Sequence, residues 1–153
     1  MFNALQKITV TQRATEDFPV RGKSFIFDFV NEIEIKSSWV NLNDTASVIL
    51  PKRLYFLNEQ KQSVTFESKN LNNIPGQAAL IQRGDKIKIE MGYMYPSDNG
   101  IGYTTELNTE FEGFISKVND DFPMKLTAED NMWLMKQTKI DNKLYLGSQY
   151  TME

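Results

Sequence analysis

The alternation of apolar and polar residues in residues 24–39 restricts the possible folds more than any other feature of the sequence. Apolar side chains occupy most odd positions, and mostly polar side chains occupy the even ones: Phe25, Phe27, Phe29, Ile33, Ile35 and Trp39 against Asp28, Glu32, Glu34, Lys36 and Ser38. Side chains of a strand alternate between the faces of a sheet, so this period of two predicts a half-buried antiparallel strand. Because the stretch is long for one strand, we expect a bulge or bend near Asn31.

Shorter stretches carry the same signal and predict further strands. In residues 45–50, Ala46, Val48 and Leu50 share one face, and Pro51 ends the strand because proline cannot donate to a ladder. The other predicted strands lie at residues 64–66, 87–93, 111–118 and 124–128. Gly113 inside one of them predicts a bulge or a close backbone approach.

Polar residues, glycine and proline predict the connections between these strands. Turns or loops are expected at residues 41–44, 70–76, 83–85, 95–103 and 119–121. The loop after residue 95 contains Pro96, Gly100 and Gly102 and few large aliphatic residues. We therefore expect residues 95–106 to be mobile in the isolated chain.

One short helix is predicted near the C-terminal end, beginning near Thr127. Thr127 and Asp130 resemble a capping box in which Asp replaces the usual Glu. Glu129 suits the positive end of the helix dipole and Lys136 the negative end. The sequence thus predicts a single, mainly β domain over residues 1–153, a small antiparallel β-barrel or sandwich with one short α-helix.

The composition argues against an enzyme. The chain has no histidine and no cysteine, which removes the commonest general base, the commonest metal ligand and the thiol nucleophile. It also lacks a glycine-rich phosphate loop and a nucleophile elbow. We expect no catalytic residues, no cofactor and no metal site.

The charge and hydropathy of the chain argue against nucleic-acid and membrane partners. The net charge is −3 and the isoelectric point is about 5.1, whereas nucleic-acid-binding domains are usually basic. The sequence contains no signal-peptide apolar region and no run of about 18 apolar residues. We expect neither a nucleic-acid partner nor a membrane partner.

Some side chains nevertheless allow other interpretations. Carboxylate pairs that a glycosidase-like site would need occur at Glu110 with Glu112, Asp120 with Asp121, and Glu129 with Asp130. Residues 97–100 look faintly like an ion-binding loop, without the ligand spacing of an EF-hand. Solvated strand faces and polar turns are the simpler interpretation of all of these.

Aromatic side chains next to cations suggest an OB-like nucleic-acid-binding barrel as the alternative function. The residues concerned are Lys52, Arg53, Tyr55 and Phe56. Core packing plus an exposed edge is the simpler interpretation of these residues. Trp39 and Trp133 are expected in the core or in subunit packing, not in a small-molecule site.

Three segments together resemble the first barrel domain of phage tail hub (baseplate hub) proteins, including those of Mu-like phages. Residues 32–39 and 43–51 resemble the family's charged, alternating strand followed by "T-A-x-[VI]-x-[LV]-P". Residues 84–93 are similar to "G-D-x-V-x-[IV]-x-x-G-Y". Residues 111–115 and 124–137 resemble "F-x-G-[YF]-I … [LI]-x-[CA]-E-D-x-M-x-L-L-K", with Ala128 at the Cys position and Met135 at the second Leu.

The resemblance, over about residues 25–140, implies a mechanical function. Hub subunits form a homotrimer whose two barrels per chain make a pseudo-sixfold ring between the hexameric tail tube and the trimeric spike. For this chain, the resemblance implies other hub subunits, tail tube proteins and spike proteins as partners. It also implies a location in the virion tail after synthesis in the bacterial cytoplasm. Hub proteins usually continue into a second barrel, so we expect this chain to be a truncated hub protein or a small one-barrel variant.

Overall fold

The computed structural model describes residues 3–14, 16, 21–27, 29–51, 53–57, 63–67, 80–119 and 123–138, and gives only the backbone of residues 53–57 and 63–67. These residues form nine strands and one helix. The elements are β1 (Asn3–Thr11), β2 (Ser24–Phe27), β3 (Glu32–Lys36), β4 (Thr45–Ile49), β5 (Arg53–Leu57), β6 (Ser63–Glu67), β7 (Lys86–Pro96), β8 (Tyr103–Asn119), β9 (Lys125–Glu129) and α1 (Met132–Gln137).

All nine strands belong to one antiparallel sheet in the order β3-β4-β9-β8-β7-β1-β2-β5-β6. One face of this sheet encloses a single core, to which β1, β2, β4, β7, β8 and β9 all contribute buried side chains. A closed barrel would have its two edge strands paired with each other. Within the described residues, however, the edge strands β3 and β6 do not pair with each other, and the sheet remains open.

The mainly β fold with one short helix is therefore confirmed. The apolar positions predicted for β4, β7 and β9 do face the core, among them Val48, Ile87, Ile89 and Leu126. In the middle of the sheet, Ile8, Ile89 and Phe111 lie opposite one another on three neighbouring strands and are all buried.

The prediction of one strand over residues 24–39 is wrong. The stretch forms β2, which pairs with β1 and β5, and β3, which pairs with β4 at the far edge of the sheet. Between them the chain crosses the end of the sheet. There the N–H of Asn31 donates to the carbonyl of Ile49, and the side-chain amide of Gln6 donates to the carbonyl of Val30. The bend expected near Asn31 is thus a change of strand partner.

The helix begins later than predicted. Thr127 lies in β9 and pairs with Ser47, so it cannot cap a helix. The helix starts at Met132, whose N–H is accepted by the Asp130 carboxylate at 2.9 Å. The other Asp130 oxygen accepts the N–H of Asp44 at 3.0 Å, so one carboxylate joins the helix to the β3–β4 loop.

Gly113 makes the close approach that the sequence predicted. A Cβ added to this residue would overlap the carbonyl oxygen of Glu129 on β9. The β8–β9 register also shifts nearby, between Ile115 and Lys117. The two strands therefore cross more closely than any side chain at residue 113 allows.

The predicted loop over residues 95–106 is too long. The strands β7 and β8 continue to Pro96 and from Tyr103, so only residues 97–102 connect them. The strands β1 and β5 were not predicted, and the loop predicted at residues 70–76 lies outside the described residues.

Candidate assembly surface

A three-stranded arm extends from the core. We define the arm as residues 3–6 of β1, residues 91–96 of β7, residues 103–110 of β8 and the turn of residues 97–102 that joins the last two. In this part Ala4 pairs with Tyr93, which in turn pairs with Glu106. None of the arm residues is fully buried, in contrast to Ile8, Ile89 and Phe111 where the arm begins.

Both long edges of the arm are open within the described part of the chain. The partner of β8 on its second side is β9, and that pairing starts only at Phe114. The partner of β1 on its second side is β2, and that pairing starts only at Ile8. Among the described residues, the backbone N–H and C=O groups on the outer side of residues 103–110 and 3–6 therefore have no strand partner.

The arm carries exposed apolar and aromatic side chains. Tyr93 is 60% exposed and Tyr103 is 68% exposed, and Ile101 and Leu107 are exposed as well. The hydroxyl of Tyr95 donates to the Glu106 carboxylate at 2.9 Å. This hydrogen bond raises the pKa of Tyr95. The arm thus combines unpaired backbone groups with the residue types that protein interfaces favour.

The strands of the arm are held in tight register. A Cβ added to Gly92 would overlap the backbone carbonyl of Glu106, so β7 and β8 approach closely there. A register shift between Ile89 and Glu90 marks the point where the arm leaves the core. At the tip, the N–H of Ser97 donates to the carbonyl of Gly102 at 3.1 Å and closes the turn.

The end of the sheet opposite the arm is basic. It comprises residues 11–14, 21–24 and 82–86, which contain the five cations Arg13, Arg21, Lys23, Arg83 and Lys86 and the single carboxylate Asp85. These segments are held together because the N–H of Gln12 donates to the carbonyl of Lys23, and Thr11 pairs with Lys86.

A buried ion pair fixes the basic end. Asp85 is fully buried and its two oxygens accept from Nη1 and Nη2 of Arg21 at 3.0 and 2.8 Å. Each oxygen also accepts one backbone N–H, from Arg13 and from Gln82, both at 2.9 Å. The arrangement is structural, since it joins three segments and leaves no carboxylate oxygen without a donor.

Trp133 lies beside this end and is a core residue, as predicted. It is only 5% exposed, stacks on Phe114 at a ring-centroid distance of 5.6 Å, and is covered by the Arg83 guanidinium at 5.9 Å. Trp39, in contrast, is 95% exposed in the β3–β4 loop. The prediction that it is a core residue is therefore wrong, while the prediction of subunit packing stays open.

The carboxylate pairs do not form a catalytic arrangement in the described residues. Glu112 pairs with Lys86, and this lysine holds the pKa of Glu112 below its ordinary value. Glu129 accepts from Lys136 and Asn43, and Asp130 caps the helix. Asp120 and Asp121 lie outside the described residues. Over the described ranges no group of three or more carboxylates is placed to hold a metal ion.

Of the remaining candidates, the structure describes only residues 97–100 with their side chains. In residues 97–100 the Ser97 hydroxyl donates to the Asn99 side chain, which stabilises the turn without assembling ligands. Lys52 and the side chains of Arg53, Tyr55 and Phe56 lie outside the described part. Across the described residues, no helix has the length and apolar character to cross a membrane.

Comparisons with protein-family models, with curated proteins and with solved structures found no match.

The arm is the feature that sequence reasoning missed. In residues 103–110 neither face is buried, and the only large apolar or aromatic side chains are Tyr103 and Leu107, so the alternation is too weak to predict a strand. A different signal was present: between Lys88 and Lys117 the sequence contains no Lys or Arg. Such a gap is typical of a surface with a single sign of charge.

Proposed function

We propose that the chain is a structural subunit of a phage or prophage-derived tail hub, where it forms part of the ring that adapts the tail tube to the spike. The observation that carries the proposal is the arm with its two open strand edges. The hub-like motifs of the sequence support it, because the segments 84–93 and 111–115 form the parts of β7 and β8 from which the arm extends.

The open edges need a partner for a physical reason. Unpaired N–H and C=O groups along a strand form a template for another strand, and folded proteins usually protect such edges with Lys, Pro or a covering element. Residues 103–110 contain neither Lys nor Pro. The charged side chains of this edge are Glu106 and Glu110, and no element among the described residues covers it. An edge with so little protection over eight residues is typical of a surface that is covered in an assembly.

The proposed partners follow from the hub function. They are further copies of the chain in a homotrimer, the tail tube protein and the spike protein, and the proposed location is the virion tail after synthesis in the bacterial cytoplasm. Neither catalysis nor nucleic-acid binding is part of the proposal. An arm with three carboxylates and no cation would repel a phosphate backbone.

The test is assembly with the tail tube and spike proteins encoded beside the gene of this chain. Sizing chromatography and electron microscopy should detect a ring-shaped complex. If no complex forms, and the chain instead binds single-stranded DNA at micromolar affinity in moderate salt, the OB-like alternative replaces the proposal.

Two neighbouring proline variants, Thr104→Pro and Thr105→Pro, serve as a matched pair. Along a strand, the N–H groups of consecutive residues point to opposite sides. One proline therefore removes a donor to β7 and lowers stability, while the other removes a donor on the open edge and leaves the pairing of β7 intact. We expect the variant that keeps its thermal stability to lose ring formation. Normal rings from both variants would rule out edge pairing.

A further inference from the structure

We propose that two copies of this chain bind head to tail, with the acidic arm of one copy on the basic end of the next. The inference deepens the proposed function and rests on it only in treating the arm as an assembly surface. It names the recognition chemistry, which is charge complementarity between opposite ends of one chain.

The arm is negative along its whole length. Its described residues, 3–6 and 91–110, contain Asp98, Glu106 and Glu110 and no Lys or Arg, which gives a charge of −3. Within the described part, Asp98 and Glu110 form no ion pair, and Glu106 accepts only the Tyr95 hydroxyl. All three carboxylates belong to exposed residues.

The opposite end has a surplus of positive charge. Of its five cations, Arg21 is neutralised by Asp85 and Lys86 by Glu112. Arg13, Lys23 and Arg83 remain, are exposed, and make no ion pair with any described residue. Among the described residues, the end stays positive even when the nearby Glu16 is counted against these three cations. Leu134 and Met135 of α1, next to the Trp133 that Arg83 covers, add exposed apolar surface.

The two charged surfaces cannot meet within one molecule. The tip of the arm, which carries Asp98, lies at the opposite end of β7 from the basic end, because Thr11 pairs with Lys86 at one end and Asn3 with Met94 near the other. Glu110 lies at the base of the arm, next to the residue pairs Glu90–Thr109 and Ile89–Phe111. Ten residue steps from Lys86 to Pro96 span about 33 Å at about 3.3 Å per residue. Contact between the ends therefore requires a second copy, and such a contact joins two different surfaces, which gives rings when the rotation closes.

The experiment is sedimentation velocity of the whole chain across a concentration series. Raising the salt from about 0.1 M to about 1 M shortens the Debye length from about 10 Å to about 3 Å and should weaken self-association at least about tenfold. Two charge-reversed variants, D98K/E110K in the arm and K23E/R83E at the basic end, should each be monomeric. Circular dichroism and thermal melting check that both fold. The double variants D98K/E106K and R13E/K23E, which also reverse the sign of charge at each end, serve where a first double variant does not fold.

Mixing the two variants gives the decisive result. Each variant carries one sign of charge at both ends, so neither can bind itself, but an equimolar mixture contains complementary ends and should associate. Failure of the mixture to associate, self-association that both variants retain, insensitivity to salt, or no self-association of the unaltered chain would each overturn the inference. The hub proposal is judged separately, by whether the unaltered chain enters the complex with tube and spike proteins.

Discussion

Replacing Asp85 by Asn should destabilise the fold severely, although the two side chains have nearly the same shape. The carboxylate is fully buried and accepts four hydrogen bonds, two at each oxygen. In the Asn variant one oxygen becomes an NH₂ group, which faces one backbone N–H and one guanidinium N–H that are both donors. The guanidinium of Arg21, 4% exposed, also loses its counter-charge.

The expected loss follows from these contacts. Removing one partner of a buried ion pair typically costs about 3–5 kcal/mol, because it leaves the other charge buried without compensation. We expect D85N to lower the free energy of unfolding by about this amount, which is a large share of the roughly 5–15 kcal/mol that stabilises a typical domain.

Urea denaturation followed by tryptophan fluorescence measures the loss, with Trp133 next to the substituted region as the probe. The matched control is E112Q, which removes the carboxylate of the half-exposed pair with Lys86 and should cost no more than about 1 kcal/mol. A loss below about 1 kcal/mol for D85N, or equal losses for D85N and E112Q, would refute the conclusion that the Arg21–Asp85 pair holds the segments of the basic end together.

The other predictions concern the core, the strand crossing and acid stability. W133A should lose about 3–5 kcal/mol of unfolding free energy, because removal of a buried ring leaves a cavity. W39A should change stability by less than about 0.5 kcal/mol, because the side chain is exposed. Equal denaturation midpoints for the two variants would contradict the burial of Trp133. G113A should fold poorly or not at all, because its Cβ would overlap the Glu129 carbonyl, and a G113A melting curve that matches the unaltered chain would refute this. The hydrogen bond from Lys88, together with the charge of Lys7, keeps the pKa of Glu90 below its ordinary value. The contribution of Glu90 to stability is therefore complete above the unfolded-state pKa and is lost as the pH falls through the folded-state pKa. E90Q should be less stable than the unaltered chain at neutral pH but should lose less stability on acidification, as denaturation at several pH values will show; identical pH profiles would exclude the effect.

The sequence predicted β4 and β9, in which one face is buried, but not β1, in which Ile8 and Val10 are also buried on one face. In β4 and β9 the buried positions Ala46, Val48, Leu126 and Ala128 alternate with exposed or half-buried ones, so the period of two is visible in the letters. The core position of Trp133 was predicted for a related reason, since it lies within an apolar run.

The sequence could not predict features that depend on contacts far along the chain. The apolar parity of β2 resumes unchanged in β3 after the polar Asn31, so the pattern indicated a bend there but not the change of strand partner. The same parity extends to Trp39, which the structure places in an exposed loop. The pairing of Arg21 with Asp85 joins residues 64 positions apart, and no local pattern indicates it.

The arm was not predicted from the sequence because its strands have no buried face. Periodicity reports burial, and residues 103–110 bury neither face. The candidate assembly surface therefore became apparent only from the strand pairing, in which β7 and β8 continue together beyond the ends of β2 and β9.

The most direct test of the central claim, that the arm is the assembly surface, is amide hydrogen exchange of residues 103–110 in the free chain and in the complex with tail tube and spike proteins. In the free chain, exchange should be fast for the amides on the open edge and slow for those that pair with β7. In the complex, the open-edge amides should become slow, while those of Ile87 and Ile89 in the core remain unchanged. A complex that forms while the open-edge amides of residues 103–110 exchange as fast as in the free chain would contradict the account.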